Sequence, residues 1–156
     1  MLRISRLTDY GTVILVYLAQ RGDQLCSASD VAAETHVALP TAQKLLKVLA
    51  KAGLVESTRG SEGGYCLARP PNSITAVEIV DALEGPVAIT ECSTEASQCE
   101  LESMCHTGGA WQRINQAIQE ALQRVSLAEL AGGENAPLVQ IATAEAGRPA
   151  PGPTES

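Results

Sequence analysis

Pro40-Thr41-Ala42-Gln43-Lys44-Leu45-Leu46-Lys47-Val48-Leu49-Ala50-Lys51-Ala52-Gly53 is the stretch whose reading decides the fold. Ala42, Leu45, Leu46 and Leu49 stand at i, i+3, i+4 and i+7, the spacing that lays an apolar stripe along one side of an α-helix. Lys44, Lys47 and Lys51 repeat at the same interval on another side, with Thr41 and Gln43 near the start. Pro40 suits the first helical position, where a missing N–H costs nothing, and Gly53 suits the residue just past the end. Such a helix is built to lie between an aliphatic core and something anionic.

Upstream, Ser27-Ala28-Ser29-Asp30 reads as a capping arrangement that opens a short helix through Val31-Ala32-Ala33-Glu34, and Thr35-His36-Val37-Ala38 forms the turn. Two short helices around a tight turn, the second one basic, is the helix-turn-helix layout. In that layout the first residues of the second helix reach base edges and nearby lysines meet phosphates. Downstream, Leu54–Thr58 and Tyr65–Ala68 read as strands joined by Arg59-Gly60-Ser61-Glu62-Gly63-Gly64, whose glycines permit the positive φ of a hairpin loop. The hairpin makes the unit a winged helix. It places Arg59, Gly60 and Gly63 where a wing approaches a minor groove or a phosphate. A single exposed lysine is ordinarily solvated helix surface; the order of helix pair, basic row and glycine wing is what points to double-stranded DNA.

The remaining chain frames this unit. A first helix opens near Thr8, a plausible cap, and carries Val13, Ile14, Tyr17 and Leu18 at helical spacing up to Arg21-Gly22-Asp23. Thr75 and Glu78 form a capping box, and their helix runs through Ile79, Val80 and Leu83 to Gly85-Pro86. The longest helical pattern, Gly109 to Val125, has Trp111, Ile114, Ile118, Ala121, Leu122 and Val125 as a nearly heptad seam, the mark of a helix that packs on a partner helix. Ser126-Leu127-Ala128-Glu129-Leu130 caps one more turn, and beyond it Gly, Pro, Ala and Glu dominate. The fold class expected is mainly α with a small β-hairpin. It divides into a winged helix-turn-helix DNA-binding domain over 1–85, a cysteine loop over 86–108, a dimerisation helix over 109–130 and a disordered tail over 131–156.

Composition agrees with this division. The chain has 156 residues, one Trp, three Tyr and no Phe, so its core has to be aliphatic. The net charge of -7 disfavours a nucleic-acid partner until the chain is split. Residues 1–70 hold 8 Lys and Arg against 6 Asp and Glu, whereas residues 71–156 hold 3 against 12, so only the first half is mildly basic. No stretch is long and apolar enough for a membrane span and no signal-peptide pattern opens the sequence, which predicts a cytoplasmic protein without a membrane partner.

Three of the five cysteines fall together, Cys92, Cys99 and Cys105, spaced C-x6-C-x5-C and followed directly by His106. Glu91, Glu95, Glu100 and Glu102 surround them, with little apolar material to bury a thiol. Thiolates in such a setting suit a soft metal or a sulfide cluster, and in a reducing compartment that is commoner than a disulfide. A structural zinc site with His106 as fourth ligand is the alternative, although zinc knuckles have tighter C-x2–4-C spacing. Cys26 and Cys66 lie apart and read as buried thiols without chemistry. With two histidines, no C-x-x-C, no Ser/His/Asp set and no phosphate-binding glycine loop, an enzyme is not expected.

Leu7-Thr8-Asp9-Tyr10-Gly11, the wing Arg59-Gly60-x-x-Gly63-Gly64-Tyr65 and three cysteines ahead of a long helix together resemble the Rrf2 family of iron–sulfur transcription regulators over about residues 1–130. Met1-Leu2-Arg3-Ile4-Ser5, Ala38-Leu39-Pro40-Thr41 and Leu83-Glu84-Gly85-Pro86 are similar to the members that govern SUF-type cluster assembly. The resemblance implies a homodimeric repressor of that operon, each subunit holding one [2Fe–2S] or [4Fe–4S] cluster on Cys92, Cys99 and Cys105. A nitric-oxide or redox-sensing repressor of another operon is the alternative it leaves. The first gap is one residue longer than in those relatives, and the position where some carry a ligating histidine is Gly108. The resemblance then implies Asp9 of the opposite subunit as fourth ligand ahead of His106, against the plainer role of Asp9 in capping its helix.

Overall fold

In the computed structural model, residues 3–89 and 108–132 are described. Among them six α-helices and one hairpin follow in order: α1 (Arg6–Arg21), α2 (Ala28–Thr35), α3 (Leu39–Lys51), β1 (Val55–Thr58), β2 (Gly64–Leu67), α4 (Ala76–Glu84), α5 (Gly108–Arg124) and α6 (Leu127–Gly132). This is the mainly helical winged architecture expected. The α2 capping box forms as read, with Ser27 Oγ accepting from the Asp30 N–H and Asp30 accepting from the Ser27 N–H, and so does that of Thr75 with Glu78 on α4.

Two starts differ from expectation. The cap of α1 is Ser5, whose Oγ accepts from the Thr8 N–H at 3.2 Å. Thr8 is buried, and its hydroxyl donates to Glu84 at the far end of α4. Helix α3 begins at Leu39, so Pro40 takes the second position, equally free of an N–H obligation.

The core is aliphatic. Ile14, Leu15 and Leu18 of α1, Val31 of α2, Ala42, Leu45, Leu46 and Leu49 of α3, and Leu54, Val55, Ile74 and Ile79 are all buried in one cluster. Tyr10, Tyr17 and Tyr65 pack at its margin. Leu127 of α6 joins the same cluster, its N–H donating to the Ile74 carbonyl at 2.8 Å, while the Ala76 N–H donates to the Val125 carbonyl at 2.8 Å. The chain therefore returns after α5 and closes on the winged unit. Gly11 lets α4 come close, since a Cβ there would collide with the Leu83 side chain.

Helix α3 ends in a Schellman arrangement. Gly53 takes φ +77, its N–H donates to the Ala50 carbonyl at 3.1 Å, and the Leu54 N–H donates to the Leu49 carbonyl at 3.0 Å. Leu54, already buried, leads at once into β1. The hairpin pairs Val55 with Leu67, Glu56 with Cys66, Ser57 with Tyr65 and Thr58 with Gly64. On its other edge β2 exchanges two bonds with Cys26 through Tyr65, so the strand is held from both sides. Gly64 is required there because a Cβ would come within 2.8 Å of the Cys26 carbonyl oxygen.

Candidate nucleic-acid interface and metal centre

The buried stripe of α3 fixes which of its sides faces outward. With Ala42, Leu45, Leu46 and Leu49 in the core, Gln43, Lys44, Lys47 and Lys51 are exposed and Thr41 is half-buried. Among the described residues the single ion pair is Arg69–Glu78, so no described carboxylate neutralises these lysines. The turn before α3 depends on His36, which adopts a left-handed conformation with φ 56 and so reverses the chain within a few residues. Leu39 is exposed at the head of α3, where the helix meets solvent.

The wing projects beyond the core. Arg59 and Gly60 are exposed, Gly60 with φ +119, and the Gly63 N–H closes the loop by donating to the Gly60 carbonyl at 3.1 Å. A Cβ on Gly63 would overlap the Thr58 carbonyl oxygen, so the tight loop admits only glycine at that position. Two helices at a turn, an exposed basic row and a glycine wing thus stand on one framework, continuous through Gly53 and Leu54.

Arg69, after β2, donates to Glu78 at 2.7 Å and to the Ser73 carbonyl at 3.2 Å, tying the wing's exit to the start of α4. Burial pushes the Glu78 carboxyl up, but the Thr75 N–H and the Arg69 guanidinium outweigh it and hold the group below the usual carboxylate range. Cys66 is half-buried; burial, followed by Glu56, pushes its thiol up.

A scan against protein families matches residues 4–133 to Rrf2, described as an iron-dependent transcriptional regulator. This chain belongs to the Rrf2 family. It is 33% identical over 130 residues to protein rrf2 of Nitratidesulfovibrio vulgaris, covering 83% of this chain and 87% of that protein. Among solved structures, CymR, the global cysteine regulator of B. subtilis, is 32% identical with a TM-score of 0.67, covering 86% of this chain and 100% of that one. IscR of T. potens is 31% identical with a TM-score of 0.65, covering 89% and 93%. The Rrf2 chain is accordingly a winged-helix transcription regulator of a DNA-binding family, not an enzyme, and no described helix is long and apolar enough to cross a membrane.

The metal-ligand candidates of this Rrf2 protein divide in two. Cys92, Cys99, Cys105 and His106 lie outside the described residues; among the described ones no group of three His, Cys, Asp or Glu is gathered for a metal. Asp9 is exposed in the first turn of α1. The capping role that is the alternative for Asp9 is taken by Ser5, and Glu84 accepts the Ser5 N–H at 2.7 Å. The Asp9 carboxylate therefore has no hydrogen-bond or ion-pair partner among the described residues. By their chemistry alone, three thiols and a carboxylate with no partner among the described residues are donors that would suit an iron–sulfur cluster with one labile ligand.

Helix α5 splits its expected seam. Ile118, Ala121, Leu122 and Val125 are half-buried, whereas Trp111 and Ile114 stay 43% and 44% exposed. Asn115, overlooked in the sequence, is the most buried residue of the helix. A signal was there, since Asn115 falls four after Trp111 and three before Ile118, a polar side chain on the apolar stripe.

Proposed function

We propose that this protein is a homodimeric repressor that senses iron–sulfur clusters and governs the operon for SUF-type cluster assembly. The observation that carries the reading is the segment with Cys92, Cys99 and Cys105, which joins α4 to α5 in a chain of an iron-dependent regulator family. The three thiolates hold a [2Fe–2S] or [4Fe–4S] cluster, with Asp9 of the opposite subunit completing the set and His106 as its competitor. When bound, the cluster supplies a centre that is lost or oxidised when iron falls or oxidants rise.

The chain's own residues do the rest. Thr41 and Gln43 face base edges, Lys44, Lys47 and Lys51 neutralise phosphates, and Arg59 with the turn at Gly60 and Gly63 brings the wing to the adjoining groove. Exposed Trp111 and Ile114 on α5 supply the apolar surface that a second subunit covers. Two such units bind half-sites about one helical turn of DNA apart.

Anaerobic purification followed by visible absorption and iron and sulfide analysis tests the cluster. Brown protein with sulfur-to-iron charge-transfer bands, lost in Cys92→Ala, Cys99→Ala and Cys105→Ala, is the result expected. CymR is as similar to this chain as IscR, so a colourless protein, or one holding stoichiometric zinc after anaerobic reconstitution, would assign a regulator without a cluster and overturn the reading. Asp9→Ala should make the cluster more labile while three thiolates still assemble it. If only His106→Ala does so, the fourth ligand is His106.

A further inference from the structure

The residues that follow α4 are held by side chains. Asn115, only 5% exposed, accepts the Ile89 N–H on its Oδ1 at 3.1 Å and donates from Nδ2 to the Val87 carbonyl at 3.1 Å. Gln119, one turn further along α5, donates to the same Val87 carbonyl at 3.1 Å. From the other side Asp81 of α4 accepts the Val87 N–H at 3.2 Å. Asn115 thus does for this extended piece what a neighbouring strand would do, offering one acceptor and one donor at the spacing of a β rung. An amide on the apolar stripe of a helix costs stability unless both its functions are bonded, and these two backbone groups are what bond it.

Position along the chain gives the clamp its meaning. Ile89 stands three residues before Cys92, and α5 opens at Gly108, three residues after Cys105. The chain's entry to the cysteine segment is therefore docked on the helix that forms its exit. We propose that Asn115 is a positioning residue for the cluster, closing the base of the cysteine segment through Val87 and Ile89 so that metal binding need not supply that closure. The proposal rests on the cluster reading above. With both ends held, the entropy of bringing them together is met by the fold; without the clamp, it falls on the metal–thiolate bonds.

Asn115→Leu tests it, because leucine keeps the shape and suits the apolar stripe but makes neither bond. Full-length protein is purified anaerobically and loss of its visible absorbance is followed under excess chelator, with amide exchange of the peptide containing Ile89 measured on the metal-free chain. The variant should release its cluster about tenfold faster or more, the factor that two lost hydrogen bonds imply. Exchange at Ile89 should quicken, while apparent Kd for DNA of the metal-free protein stays within twofold. Should Asn115→Leu not fold, Gln119→Leu removes only the second bond to Val87 and should speed release about threefold. Release at the parent rate while Ile89 exchanges faster, or from Gln119→Leu if that variant alone folds, overturns the positioning role. A parent chain that takes up no iron and sulfide overturns the cluster reading instead and removes this role with it, so the two failures are distinct.

Discussion

The lysine row of α3 supports a quantitative prediction. Lys44, Lys47 and Lys51 are exposed, point away from the core stripe and have no carboxylate partner among the described residues, so each is free to displace one counterion from a DNA phosphate. Each such contact adds about 0.9 to the slope of log K against log salt, so Lys44→Ala/Lys47→Ala/Lys51→Ala should flatten that slope by about 2.7 per chain. Between 50 and 200 mM salt this is a difference of roughly 40-fold for each bound chain in how much affinity is lost. Alanine is the best helix former, and the positions bury nothing, so the fold should be unaffected. Fluorescence anisotropy with operator DNA across a salt series measures the slope. Arg113→Ala/Arg124→Ala on α5 serves as the control for net charge, and its slope should match the parent. A triple variant with the parent slope, or a control that falls as far, would refute the placement of α3 against the phosphates.

Other outcomes follow from the same geometry. Leu127→Ala removes a fully buried side chain from the shared core and should cost about 2–5 kcal/mol in urea unfolding; a loss below about 0.5 kcal/mol would mean that α6 is not part of that core. Gly63→Ala must open the wing loop to avoid the Thr58 carbonyl, so DNA affinity should drop at least tenfold with little change in Tm, an expectation that unaltered binding would defeat. Glu84 is held below the usual carboxylate range by the Thr8 hydroxyl and the Ser5 N–H. Its contribution is present above the ordinary glutamate value near 4.3 and fades as pH falls through the lowered one. Glu84→Gln should therefore lower Tm at pH 7, with the gap to the parent narrowing towards pH 3; a gap constant with pH would dismiss the ionic character of this contact.

What the sequence discloses here is what is local. The stripe and lysine row of α3, the capping boxes at Ser27 and Thr75 and the glycines of the wing each follow from residues within a few positions of one another, and all stand where expected. The misplacements have partners far along the chain. Thr8 looks like a cap until Glu84, 76 residues later, claims its hydroxyl, leaving Ser5 to cap α1. Asn115 interrupts a seam for no local reason, because the peptide groups it serves lie 26 and 28 residues earlier. Asp9 reads both as a cap and as a ligand, and it is the geometry around Ser5 that takes the first duty from it.

The junction at Gly53 has one more consequence. A single turn separates the last residue of α3 from β1, and its two backbone bonds, together with buried Leu49 and Leu54, leave no slack between helix and wing. Within one subunit these two elements are a single jaw of a caliper. A signal cannot loosen one while the other keeps its grip. In the proposed dimer, then, the adjustable quantity is the gap between the two jaws, and a change of a few ångströms there is set against the fixed pitch of the double helix.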